Sequence, residues 1–291
     1  MIILDKSDKI CVVGGDLRIA KFAELLSSEK EVKSLGFENH IFLKDKIKKC
    51  SSIREAVKEC RIIISGIPLS EDGIFINAPH SDKKILIDEL FKNIKEKTFV
   101  AGAIKQNVRD LATKNNIKIV DLMENEFFTI LNVIPTVEGA IQTAMENTAI
   151  TINNSNCLIL GFGRIGKALC KILKSLGANV SAVARKDKDI AWIKLLGYKD
   201  IYLSNLSDAL KNKYDIIFNT IPSIILKERE LKILKENNNN CIIIELASKP
   251  GGIDLKEAEK NRIKVIYAQG LPGKVAPNTA AKYIKETLEK L

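Results

Sequence analysis

Aromatic side chains make up only 5% of this chain and histidine occurs twice. Each scarcity closes a class of function. A surface of stacked rings interleaved with cations, as single-stranded nucleic acids require, has too few rings to build from. His40 and His80 stand apart from any cysteine pair or acid cluster, so no metal centre is expected. The six cysteines, at positions 11, 50, 60, 157, 170 and 241, include no Cys-x-x-Cys spacing. Cys11, Cys157 and Cys241 open apolar runs, where a thiol behaves as a small hydrophobe, and disulfides are not expected. No apolar run approaches the roughly 20 residues that cross a bilayer. The segment Met1–Lys6 lacks the pattern of a signal peptide. A cytoplasmic protein without membrane partners is therefore expected.

At 291 residues, with 46% hydrophobic and 28% charged side chains, the chain has material for two domains, each with its own core. The net charge of +10 raises the question of a nucleic-acid partner. The lysines are dispersed among acids, as in Lys44–Lys49 and Lys282–Glu286, so no nucleic acid is expected. Such a diffuse positive field still helps capture a small polyanion.

Short apolar runs alternate with helical patterns along the first half. Residues 9–13, 61–64, 85–87, 98–101 and 117–120 read as strands, nearly continuous in apolar residues as in buried parallel sheets. Residues 17–28, 53–59 and 105–115 read as helices. The second half offers six strands: 157–161, 179–184, 200–203, 215–219, 241–246 and 264–267. Pro135, Thr136 and Glu138 resemble a helix start with Thr136 as cap, opening a linker helix to about Ile150. The expected fold is α/β: two doubly wound, parallel-sheet, Rossmann-like domains with a cleft between them. Residues 1–135 form the substrate-side domain, completed by a C-terminal helix over 279–291. Residues 136–278 hold the linker helix and the nucleotide domain.

The strongest motif is Gly161-Phe-Gly163-Arg-Ile-Gly166, which follows the run Cys157–Leu160 and opens an amphipathic helix. Glycines at this spacing permit a tight turn, backbone approach to a pyrophosphate, and close helix–strand packing. Gly161, Gly163, Arg164, Ile165 and Gly166 are thus candidates for cofactor binding. The following strand ends on Arg185, with Lys186 and Lys188 beyond, where NAD-selective sites place an acid. A guanidinium binds a 2′-phosphate that a carboxylate would repel, so NADP is expected over NAD. The turn Gly14-Gly15-Asp16-Leu-Arg18 lacks the fingerprint spacing, and no second dinucleotide is assigned there. Loops rich in Gly, Pro, Ser and Lys follow other strand ends: 65–70, with Ser65 and Ser70; 219–223, with Asn219, Thr220, Ile221 and Pro222; 245–252, with Ser248 and Lys249; and 270–277, with Lys274. Such loops suit a backbone-rich anion pocket. The loop over 219–222 is expected beside the nicotinamide ribose.

The phrases Val12–Arg18, Ile134–Gly139, Asn219–Ser223, Leu246–Gly252 and Gly270–Pro277 resemble the family of the dipicolinate synthase A subunit, in order and spacing, across nearly the whole chain. The resemblance implies NADP-linked oxidation of dihydrodipicolinate to dipicolinate, the calcium-chelating acid of bacterial spores. It further implies a partner, the flavoprotein-like B subunit of dipicolinate synthase, and action in the mother cell during sporulation. Two departures stand out: Lys249 where arginine is expected and Lys274 where an apolar residue is common. For a dicarboxylate substrate, Arg18, Thr136, Lys249 and Lys274 are the candidate partners. Glu138 or Glu245 is the candidate proton acceptor, with water as the alternative. A dehydrogenase of another small oxo, hydroxy or amino acid, or a subunit that only holds NADP(H), are the competing readings. A homo-oligomer is compatible with the sequence, which does not fix the oligomeric state.

Overall fold

The computed structural model describes residues 8–42, 46–238 and 240–291. The segment Met1–Lys6, in which no signal peptide was read, and Lys44, Asp45 and Asn239 lie outside the described residues. The chain divides into two compact units, Met1–Asn132 with Pro272–Leu291, and Val133–Leu271.

In the first unit the chain runs β1 (Ile10–Val13), α1 (Leu17–Leu26), β2 (Val32–Leu35), β3 (Ile47–Lys49), α2 (Ile53–Val57), β4 (Ile62–Ser65), α3 (Ile87–Asn93), β5 (Thr98–Ala101), α4 (Gln106–Lys114), β6 (Lys118–Asp121) and α5 (Glu126–Leu131). Its sheet is wholly parallel, in the order β3-β2-β1-β4-β5-β6. Every residue of β1 and β4 is buried, which explains their apolar character, since helices cover both faces. One face packs Phe22, Phe37 and Phe128; the other packs Phe91 edge-on to Phe99, ring centroids 5.1 Å apart.

The second unit begins with α6 (Val133–Asn147) and continues β7 (Asn156–Leu160), α7 (Arg164–Ser175), β8 (Asn179–Ala184), α8 (Asp187–Leu195), β9 (Lys199–Tyr202), α9 (Leu206–Ala209), β10 (Ile216–Asn219), α10 (Glu228–Asn237), β11 (Ile242–Glu245), α11 (Leu255–Lys260) and β12 (Lys264–Tyr267). The sheet order is β12-β11-β10-β7-β8-β9, again all parallel. After α12 (Leu271–Val275), α13 (Pro277–Lys290) returns to the first unit and packs on α1 and α5. Ala281, Ile284 and Leu288 enter the core beside Phe22 and Phe128. Burial of each of the two larger side chains contributes about 1.5–3 kcal/mol. Lys285 pairs with Glu29 at 2.6 Å, and the Lys290 ammonium lies 3.5 Å from the Phe127 ring centre.

Two strands of the first sheet show no apolar run and were not expected. β2 carries Lys33 and Ser34, both buried, and β3 ends on two exposed lysines. Lys33 is accommodated because its ammonium donates to the Lys58 carbonyl at 2.9 Å. Conversely, 85–87 is not a strand of the sheet. Leu86 forms only an isolated bridge to Phe75, and Ile87 opens α3, with Asp88 and Glu89 in its first turn. The linker helix also starts earlier than expected, at Val133. Pro135 sits in its first turn, where a missing N–H costs nothing, so Thr136 lies within the helix and is not its cap. Among the described residues no helix is long and apolar enough to cross a membrane.

Candidate functional site

The second sheet reverses strand order between β7 and β10, because the chain moves outward from β7 to β8 and β9 and later resumes on the other side. Loops diverging from such a reversal leave a crevice beyond the carboxyl ends of the strands, where open α/β sheets bind ligands. The glycine fingerprint leaves β7 at this point.

Its three glycines answer to different constraints. Gly161 has φ +100, and a Cβ there would lie 2.5 Å from Thr220 Oγ1 and 2.9 Å from Ile221 Cγ1. A Cβ on Gly166 would run into the Gly161 carbonyl oxygen, so its absence lets α7 approach β7. Gly163 is neither left-handed nor crowded. It caps α7 at φ −80, without a side-chain hydrogen bond, and a Cβ there would meet no atom within 4 Å. Two glycines are demanded by the protein's own packing; the third keeps open the space over a helix N-terminus. The first-turn N–H groups of α7, at Arg164, Ile165 and Gly166, are donors without intrahelical acceptors, and the helix dipole adds positive potential. A pyrophosphate fits this donor set.

Arg185 directly follows β8 and is exposed. Lys186 occupies the cap position of α8, without a side-chain cap bond, and Asp187 accepts from the Tyr202 hydroxyl at 3.1 Å. Among the described residues no acid forms an ion pair with Arg185, Lys186 or Lys188. The loops after β10 and β11 are tied into one body. Asn219, fully buried, donates its amide to both oxygens of Glu245, at 2.8 and 3.0 Å, and to the Ile221 carbonyl. Glu245, equally buried, also accepts from the Ala247 and Gly252 N–H groups, both at 2.9 Å. Among the described residues no cation pairs with it, and these donors sustain its burial. The Thr220 hydroxyl donates to the Leu160 carbonyl at 2.9 Å, fixing the same loop against β7. Pro222, Ser248 and Lys249 are exposed on this framework.

The structure does not bring the two candidate proton acceptors together. Glu245 has its carboxylate engaged in organising the 246–252 loop. Glu138 is exposed on α6, beside Ile172 and Leu176 of α7. Ile172 lies about 13 Å along the helix from Gly163, toward the opposite edge of the sheet.

The first unit has the same kind of reversal, between β1 and β4, and builds it shut. Gly15 donates its N–H to the Asn77 carbonyl at 2.7 Å, and a Cβ on Gly14 would lie 2.8 Å from Ile76. Asp16 caps α1 by accepting from the Arg18 N–H. Arg18, 3% exposed, grips Asp16 through Nε at 3.0 Å and Nη2 at 2.8 Å, and Nη2 also donates to the Ile67 carbonyl. Ser65 donates to the Val13 carbonyl at 2.6 Å. Ser70 donates to Asp72 and accepts from the Gly73 N–H. Arg18, Ser65 and Ser70 are thus all bonded within the first unit, while Lys274 is exposed on α12 and Thr136 is half-buried in α6. The Asn219–Glu245–Gly252 clamp was not foreseen as a unit; its one sequence signal is two polar residues, each ending an apolar run.

The family model for the N-terminal domain of the dipicolinate synthase A subunit matches residues 9–123. That for the D-isomer specific 2-hydroxyacid dehydrogenase NAD binding domain matches residues 135–244. The dipicolinate synthase A subunit of Bacillus subtilis (strain 168) is 32% identical over 288 residues, 97% of this chain and 95% of that protein. The chain belongs to the dipicolinate synthase A subunit family. Two solved structures of that family superpose on it. The dipicolinate synthase A subunit from Bacillus halodurans is 28% identical, with TM-score 0.86, covering 99% of this chain and 98% of that one. The dipicolinate synthase A chain from Bacillus subtilis is 31% identical, with TM-score 0.84, covering 99% and 96%. Within this family member, the glycine turn, α7 and Arg185 all lie in the segment matched to a dehydrogenase NAD-binding domain, which gives the chain oxidoreductase character.

Proposed function

We propose that this chain oxidises dihydrodipicolinate to dipicolinate with NADP, as the A subunit of a sporulation dipicolinate synthase whose flavoprotein-like B subunit is its partner. The observation that carries the cofactor choice is Arg185, exposed at the end of β8 and, among the described residues, without an acid partner. When bound, NADP supplies the hydride acceptor. The α7 N-terminus holds the diphosphate through the N–H groups after Gly163, and Arg185, helped by Lys186, takes the 2′-phosphate. The Thr220–Pro222 loop, braced on Leu160 and on Asn219, walls the nicotinamide side. Ser248 and Lys249, both exposed on the loop after β11, present a hydroxyl and a cation to a substrate carboxylate. Loss of a hydride and a proton makes the substrate ring aromatic, so alignment is the main task left to the protein. Water takes the proton, since the Glu245 oxygens are already occupied and Glu138 faces the far end of α7.

Those same two placements favour one second reading, a subunit that holds NADP(H) while its partner does the chemistry. The test is incubation of the purified chain, with and without the B subunit, with freshly generated dihydrodipicolinate and NADP⁺. NADPH and the pyridine product are followed together. Product formation by the chain alone supports the first reading; tight NADPH binding without turnover supports the second. No product above the uncatalysed rate in either mixture overturns the dehydrogenase reading.

A further inference from the structure

In the second unit α6 and α7 pack side by side, and between them runs an open apolar groove of about 420 Å³. Ile141, Met145, Ile172 and Leu176 line it, with Glu138, Gln142 and Glu146 along its α6 rim. We propose that this face is the contact between two copies of the chain, related by a two-fold axis along the groove.

Three observations converge. First, the chain leaves the groove uncovered: Met145 is 50% exposed and Leu176 39%. Ile134, Ile141 and Met145 recur at the spacing of one helix face, as do Ile172 and Leu176 at the end of α7. Single exposed apolar side chains are ordinary, whereas a strip of them bordered by charges marks a contact surface. Second, the two helices carry opposite charge. α6 has two acids, Glu138 and Glu146, and no cation; α7 has four cations, Arg164, Lys167, Lys171 and Lys174, and no acid. All of these side chains are exposed. Third, the opposite charges do not neutralise one another within the chain, because among the described residues none of them forms an ion pair. Glu146 accepts from the Gln142 amide at 2.8 Å, and Lys167 lies over the Phe162 ring, which leaves both charges in place.

The charge pattern selects the occupant. A partner of one sign would be repelled by one of the two helices. A second copy, turned about an axis along the groove, lays its α7 over α6 and its α6 over α7. Each row of acids then meets a row of cations, and the two apolar strips coincide. The result has the anatomy of a protein interface, apolar at the centre and polar at the rim.

The contact is independent of the assigned reaction, and sedimentation velocity on the full chain at physiological ionic strength tests it. A concentration-dependent dimer is expected. Met145→Glu, at an exposed position, is expected to weaken it by about tenfold or more. Two charge-reversed chains give the sharper readout. One carries Glu138→Lys with Glu146→Lys; the other carries Lys167→Glu, Lys171→Glu and Lys174→Glu. Each alone sets like charge against like and is expected to stay monomeric, whereas an equal mixture is expected to form a heterodimer. Circular dichroism melting establishes that both are folded. A parent chain that stays monomeric across the micromolar range overturns the proposal, as does a dimer that survives these variants. A mixture of the two folded, charge-reversed chains that stays monomeric overturns it too. Association with the B subunit alone, and not with a second copy, would give the face to a different partner and overturn it as well.

Discussion

A Cβ added at Gly15 in the first unit would lie 2.6 Å from Ile19, whereas one at Gly163 in the second would meet nothing within 4 Å. Both residues follow the central strand of a six-stranded sheet with the same strand order, so topology alone does not account for the contrast. In the first unit the segment Ile76–Ala78 covers the turn, Asp16 caps the helix and Arg18 is spent on Asp16 and Ile67. In the second unit the helix is capped by a bare glycine and, among the described residues, Arg185, Lys186 and Lys188 form no ion pair with an acid. One crevice is closed by the chain itself and contributes stability. The other is left for an anion. Fold and function are thus separable within a single polypeptide.

Substitutions can break that contrast, and the largest effect is expected where packing is tightest. Gly166→Ala drives a methyl into the Gly161 carbonyl, and overpacking of this kind costs about 1–3 kcal/mol or more. Urea unfolding should show that loss together with loss of dinucleotide binding. Gly15→Ala in the first unit should cost a similar amount, from strain at φ +99 and contact with Ile19, but leave dinucleotide affinity intact. Equal damage to binding would show that the first crevice is not closed. Arg185→Asp replaces the proposed phosphate partner with a like charge, so NADPH affinity should fall by about 2–3 kcal/mol, roughly 30- to 160-fold, with NADH little changed. Matching losses for both nucleotides, measured by fluorescence titration, would remove the 2′-phosphate assignment. Gly163→Ala should cost at most about 1 kcal/mol of stability, as a poorer helix cap, while weakening dinucleotide binding about tenfold or more.

The smallest effect concerns the loop that leads into Ile76–Ala78. Asp72 accepts from the Ile74 and Phe75 N–H groups, and these bonds hold its carboxyl down at about 2, below the ordinary 3.8. A depressed carboxylate stabilises the fold above its unfolded value, so this contribution is present above about pH 4 and is lost as pH falls toward 2. Acid titration of Asp72→Asn, followed by circular dichroism, should show a flatter stability profile across that window than the parent. An identical profile would show that the loop is not held by this charge.

What the sequence disclosed follows the range of the interactions involved. The fingerprint's strand–turn–helix setting and the place of Arg185 just after β8 were legible because a strand, a turn, a helix and the next strand end lie within one contiguous stretch. The doubly wound fold was legible because strands buried on both faces must be apolar. β2 was hidden by Lys33, whose burial depends on the carbonyl of Lys58 across the fold. The role of Glu245 was hidden for a similar reason, since its partner Asn219 sits on the neighbouring strand and its other donors come from a loop folded back upon it. That Arg18 is buried against Asp16 was not legible, because exposure cannot be seen in a one-dimensional pattern; the acid two residues before it was the available warning. Thr136 was misread because a proline in a helix's first turn looks the same in sequence as one just before it.

Calorimetric titration of the intact chain with NADPH tests the central contrast most directly. One dinucleotide per chain, bound at least tenfold more tightly than NADH, is the predicted result. Two per chain, or none, would contradict the assignment of one closed and one open crevice.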